Sequence, residues 1–132
     1  MKLLLLAAAA LLCSCAPPAR RLSDTWPPLQ LTEDSAGQRF DINVGQEAVV
    51  RLQSNPSTGY QWAMADSRSA VLAMIGEPQF EPPAQPKPGA PGTQVWRLKA
   101  MIEGQATVVF EYKRAWEKKP PVKSVALTFL SR

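Results

Sequence analysis

Glu47-Ala48-Val49-Val50-Arg51-Leu52-Gln53, then Ser54-Asn55-Pro56-Ser57-Thr58-Gly59, then Tyr60-Gln61-Trp62-Ala63-Met64: two alternating runs with a short polar break between them. Alternation with a period of two puts every second side chain on one face, which is the pattern of half-buried strands rather than of helix. The break is therefore a loop joining two strands, and its composition makes it stiff. Pro56 fixes its own φ and pushes Asn55 into an extended conformation. Asn55 has a side chain able to hydrogen-bond its own backbone two residues on, and Gly59 is free to take positive φ and turn the chain back. Only Ser57 and Thr58, short and polar, lie between these fixed ends. A narrow wedge with small side chains at its tip is expected. Asn-Pro and Thr-Gly are also ordinary turn dipeptides, so the loop by itself does not decide between a connector and a binding element.

The same alternation recurs on both sides of this stretch. Leu29–Thr32, Arg39–Val44, Thr93–Met101, Gln105–Tyr112 and Val122–Leu130 all read as strands, the later ones with Trp96, Leu98 and Ala100, with Ala106, Val108, Phe110 and Tyr112, and with Val125, Leu127 and Phe129 on common faces. Ser69–Gly76 is apolar and short, with β-branched Val71 and Ile75, and is read as a further strand. Pro82 to Gly92 has no periodicity and reads as a long loop, and Lys113–Pro121 as a basic one. Seven or eight short strands separated by turn signals, without a convincing helix, predict an all-β immunoglobulin-like sandwich; a small closed barrel is the alternative. Trp62 and Trp96 lie in alternating strands and are expected in the core, whereas Trp116 is expected at the surface.

A chain of 132 residues, 45% hydrophobic and 20% charged, has the composition of one globular domain. Its thirteen prolines cluster in the loops and near the N-terminus. Met1-Lys2 followed by the Leu/Ala run Leu3–Leu12 is too short to span a bilayer and fits a secretory signal peptide. Leu12-Cys13-Ser14-Cys15 has the spacing of a bacterial lipobox, with Cys15 as the residue acylated after cleavage. The expected division is a signal peptide over residues 1–14, a Pro-rich tether over 15–27 and the sandwich over 28–132. The chain is expected in the bacterial cell envelope, at the outer membrane in a diderm. Removal of residues 1–14 takes away Lys2 and lowers the net charge of +4 by one. No Cys follows Cys15, so no disulfide is expected to brace the domain. The mild positive charge, without a basic cluster on a helix, points away from nucleic acid.

The chain contains no His. That removes Ser–His and Cys–His nucleophilic pairs and the ordinary zinc ligand sets. Its carboxylates are scattered, and no glycine loop opens a helix to cradle phosphate. A non-enzyme is expected, without metal or cofactor. What remains is a scaffold that presents loops, and three are distinctive: Asn55-Pro56-Ser57-Thr58-Gly59-Tyr60, Gly89-Ala90-Pro91-Gly92 and Arg114-Ala115-Trp116. In an immunoglobulin-like sandwich the loops after the second, fourth and sixth strands can gather at one end. An exposed Trp beside Arg is the composition of a binding hot spot.

These three loops, in this order, resemble the Asn-Pro-Thr-Thr-Gly-(Tyr/Phe), Gly-x-Gly-Gly and Arg-Pro-Trp motifs of the chagasin-type inhibitors of papain-like cysteine peptidases, and the similarity runs from about Leu29 to Leu130. The resemblance implies that Ser57-Thr58-Gly59 enters the peptidase cleft and covers the catalytic cysteine, with the other two loops gripping on either side. Pro91 in place of the third glycine-loop position and Ala115 in place of proline depart from the pattern and bear on those flanking contacts. The partners expected are a papain-like cysteine peptidase and, through Cys15, a membrane; the chain itself is expected to be a monomer. An envelope assembly lipoprotein with no inhibitory activity fits the leader and the sandwich equally well, and only the loops separate the two. A carbohydrate-binding module would carry its exposed aromatics on a sheet face instead.

Overall fold

Strands form where the side chains alternate, and they close into two sheets around the apolar faces this creates. A computed structural model describes residues 26–66 and 69–132; the leader, most of the tether and Cys15 lie outside the described residues. The strands are β1 (Leu29–Thr32), β2 (Arg39–Ile42), β3 (Glu47–Ser54), β4 (Gln61–Met64), β5 (Leu72–Met74), β6 (Gln79–Glu81), β7 (Gly92–Ala100), β8 (Gly104–Lys113) and β9 (Lys123–Ser131). One sheet runs β1-β3-β7-β5, with β6 also paired to β7, and the other runs β2-β9-β8-β4. Two separate sheets face each other, so the architecture is the expected sandwich and not the closed barrel.

The count of nine strands among the described residues exceeds the expected seven or eight because of β6. Gln79–Glu81 pairs antiparallel with Val95–Thr93, while β5 pairs with Ala100–Leu98 farther along the same edge of β7. β5 and β6 are thus two pieces of one interrupted edge. Gly76, at φ 68°, and Pro78, which has no N–H to give, break the ladder between them. The expected strand over Ser69–Gly76 shrinks to Leu72–Met74 for the same reason.

The core is built by the predicted faces. Trp96, Leu98 and Ala100 of β7 and Val50 and Leu52 of β3 meet Ala106, Val108 and Phe110 of β8 and Val125, Leu127 and Phe129 of β9, all buried. Trp96 and Phe110 pack across the sheets with ring centroids 5.2 Å apart, a tilted geometry that adds to the burial of apolar area. Packing of this kind holds the two sheets together without a disulfide. Each residue of this core comes from one face of a strand, and the ends of the same strands set where the loops emerge.

Candidate functional site

Loops 55–60, 82–91 and 114–122 leave the sandwich at the same end, because β3 runs out at Ser54 opposite Gly92 and β4 starts at Gln61 opposite Lys113. The structure therefore brings together the three segments singled out in the sequence.

The first loop is a single tight turn. Asn55 is extended (φ −122°, ψ 91°), Pro56–Thr58 form one turn of 3-10 helix, and Gly59 closes it in the left-handed region (φ 78°, ψ −4°). The small polar side chains serve the turn itself. Thr58 Oγ1 donates to Asn55 O at 2.7 Å and Ser57 Oγ donates to Asn55 Oδ1 at 2.6 Å. The Asn55 side chain does not close a turn onto its own backbone, the role its residue type suggested. Its Nδ2 instead donates to Gly89 O at 2.9 Å and ties the first loop to the second. The backbone N–H of Asn55 donates to the Tyr112 hydroxyl at 3.2 Å.

Arg114 supplies the matching tie from the third loop. Its Nε donates to Thr58 O at 3.1 Å, its guanidinium carbon lies 4.4 Å from the centre of the Tyr60 ring, and Nη1 donates to Glu117 Oε1 at 3.1 Å. Planar stacking combined with directed N–H donors is what a guanidinium offers and an ammonium does not. Below it, Tyr60 stacks near Tyr112 (centroids 5.5 Å) and Tyr112 near Trp62 (5.0 Å). An aromatic ladder thus runs from the buried Trp62 up to the loop tip. Trp62 is fixed in turn, its Nε1 donating to Gln53 O at 2.8 Å while the Gln94 side chain bridges its backbone N–H and carbonyl at 3.1 and 3.0 Å.

Trp116 is 71% exposed and lies over Gly59. A Cβ built on Gly59 would stand 2.5 Å from Trp116 Cη2 and 3.0 Å from Cζ2, so the indole rests on the one residue of the turn that has no side chain. Ala115 is exposed beside it. In the second loop Ala90 N–H donates to Lys87 O at 3.0 Å and Gly89 has φ 77°. Gly92 differs from its neighbours in being buried: it begins β7, and a Cβ there would come within 2.6 Å of Glu81 O and closer still to the Phe80 ring. Its lack of a side chain answers to packing beneath Phe80 at the root of the loop.

Tyr112, Gln94 and Phe80 were not singled out in the sequence as part of this end. Gln94 had a visible signal, a polar residue on the inward face of a strand whose other inward residues are Trp96, Leu98 and Ala100. Cys15 lies outside the described residues. Among the described residues no three His, Cys, Asp or Glu side chains group to hold a metal.

A sandwich that offers three mutually tied, projecting loops has the form of a protein that binds with its loop end. The family model of the chagasin family peptidase inhibitors, I42, matches residues 41–129. Amoebiasin-2 of Entamoeba histolytica is 28% identical over 103 residues, which span 77% of this chain and 84% of that protein. The crystal structure of the cysteine protease inhibitor EhICP2 from Entamoeba histolytica superposes with a TM-score of 0.72 at 26% identity, over 80% of this chain and 96% of that one. The solution structure of Amebosin superposes at 0.65 and 24% identity, over 81% of this chain and all of that one. The chain belongs to the chagasin family of peptidase inhibitors. It is an inhibitor, not an enzyme.

Proposed function

We propose that the chain is a reversible, non-covalent inhibitor of papain-like cysteine peptidases, and that Ser57-Thr58-Gly59 enters the substrate cleft and covers the catalytic cysteine. The observation that carries this reading is the double tie of the first loop, through Asn55 Nδ2 to Gly89 O and through Arg114 Nε to Thr58 O. A turn held from both sides loses little freedom on docking, so more of the contact energy remains as affinity. The described character of EhICP2 as a cysteine protease inhibitor supports the peptidase class.

In this reading the roles divide among the loops. The wedge is narrow because Ser57 and Thr58 are small and turn their hydroxyls inward. It resists cleavage because the 3-10 turn does not present an extended peptide along the cleft. Trp116 and Arg114 form one flank, and Gly89-Ala90-Pro91 the other; Gly92 sets the root of that second flank. Pro91 removes an N–H from it, so its contribution rests on shape more than on hydrogen bonding. Inhibition of papain and of a cathepsin by the chain should be competitive and reversible, with no cut at residues 54–60. Thr58→Arg puts a long charged side chain on the tip and should abolish inhibition while keeping the β-type far-UV spectrum and a cooperative melting transition, lowered only by the lost hydroxyl bond to Asn55 O, about 1 kcal/mol. Equal inhibition by this variant would contradict entry of the tip into the cleft.

The same reading places the inhibitor on a membrane, as a lipoprotein acylated at Cys15 and held by the tether of residues 15–27 in the bacterial cell envelope. Its support is the lipobox spacing of Leu12-Cys13-Ser14-Cys15 after the apolar run Leu3–Leu12. Cys15→Ala should move the protein from the membrane to the soluble fraction and abolish palmitate labelling; labelling that persists would contradict it.

A further inference from the structure

The large exposed apolar side chains are sorted between the two ends of the sandwich. Phe80, Trp116 and Val122 belong to the loop end and Met74 to an edge, while Trp26, Val44, Met101 and Ile102 gather at the opposite end. Trp26 is 45% exposed, and Met101 and Ile102 are each 50% exposed. Backbone bonds hold these turns against one another: Val44 N–H donates to Arg132 O at 3.0 Å, Gly45 N–H to Ala100 O at 2.8 Å and Met101 N–H to Val71 O at 2.8 Å. Trp26 joins them through Pro27, whose carbonyl accepts Gln46 Nε2 at 2.7 Å. Of the charges near this end, Glu47 pairs with Arg97 at 2.6 Å and Asp41 with Arg132 at 3.3 Å, while Glu103, exposed beside Ile102, and Lys99 on β7 offset each other in sign. Turns at the end of a sandwich are ordinarily polar, and a cluster of large apolar side chains across adjoining turns marks an interaction surface.

We propose that this end is a base that rests on the lipid bilayer, with Trp26, Val44, Met101 and Ile102 at the headgroup boundary and the three loops pointing away from the membrane. The proposal rests on the reading of Cys15 as an acylated anchor. The occupant follows from where the chain leads: Cys15 stands eleven residues before Trp26, and Trp26 enters at the base, not at the loops. That tether spans at most about 40 Å at roughly 3.3–3.6 Å per residue, so by itself it leaves the domain free to tumble. Tethering does, however, hold the base near the surface at an effective concentration on the order of millimolar. Contacts too weak to bind a free protein then suffice to orient a tethered one. Trp is at home at the membrane–water boundary, and the charges around the base sum to about zero, Glu47, Asp41 and Glu103 against Arg97, Arg132 and Lys99. The consequence is functional: an inhibitor seated this way offers its loops to peptidases approaching from the aqueous side.

The test uses the full chain, acylated and reconstituted in phosphatidylcholine/phosphatidylglycerol vesicles. After leader removal and acylation no free thiol remains, so Ile102→Cys and Lys118→Cys each place one bimane label, at the base and at the loop end respectively. On vesicles the label at 102 should emit to the blue and be quenched by acrylamide, a neutral quencher indifferent to the basic loop around 118, several-fold less than the label at 118. In versions that carry both Cys13→Ala and Cys15→Ala, which keep a single thiol whether or not the leader is cut, the two should be quenched alike without vesicles. Adding Met101→Asp to the chain labelled at 102 should bring its quenching on vesicles up toward that at 118. Equal quenching at both sites, in a chain that sediments with the vesicles, overturns the base and leaves the anchor standing. A chain that does not sediment removes the anchor and the base with it. Protection at 102 that arises without vesicles and grows with protein concentration assigns this end to a second copy of the chain instead.

Discussion

Gly59 carries two constraints at once. Its φ of 78° lies where a side chain is strained, and the space a Cβ would fill is taken by the Trp116 indole. Gly59→Ala should therefore lower stability by about 1 kcal/mol from backbone strain and weaken inhibition further by pushing the indole off the turn. Thermal melts and inhibition constants measured together separate the two effects. Trp116→Ala leaves the exposed indole's partners unburied in the free protein and should cost little stability, yet about 2 kcal/mol or more in binding, roughly thirtyfold in the inhibition constant. Ala90→Ser, at a position where Pro91 already alters the loop, should change inhibition little. The identity of these residues was legible in the sequence because turn chemistry and an Arg–Trp pair are local signals. Their partners were not. The Asn55 bond to Gly89 joins positions 34 apart and the Arg114 bond to Thr58 positions 56 apart, and nothing in the local pattern specifies such contacts.

At the level of elements, the long alternating strands β3, β7, β8 and β9 were legible because one buried face demands an apolar residue at every second position. β6 was not, since three residues between Pro78 and Pro82 are too few to show a period. It forms because β7 offers an unpaired edge beside it, and Phe80 then covers Gly92. Gly92→Ala would press a methyl into Phe80 and the Glu81 carbonyl and should destabilise the domain by about 1–3 kcal/mol, with loosening of β6 visible as faster amide exchange at residues 79–81. Tyr112→Phe removes the hydroxyl that accepts the Asn55 N–H. A loss of about 1 kcal/mol in denaturant unfolding is expected, with the aromatic ladder from Trp62 to Tyr60 kept.

For the whole molecule, an all-β body was legible because so many half-apolar strands without helices must bury their faces on one another; the turn spacing favoured the sandwich over a small closed barrel, and the two sheets of the structure decide for it. The gathering of the three loops followed from that topology before any contact was known. Because the core closes without a disulfide, the far-UV spectrum should be β-type and unchanged by reducing agent. The molecule is accordingly a two-sheet body that fixes one preformed end, which we propose covers a catalytic cysteine. The most direct measurement is the rate at which iodoacetamide alkylates the active-site cysteine of papain, with and without a saturating amount of the chain. Alkylation should slow in proportion to the fraction of papain bound and nearly stop at saturation, while chain carrying Thr58→Arg should give no protection. Alkylation at the unprotected rate, in papain shown to be bound to the chain, would contradict that proposal.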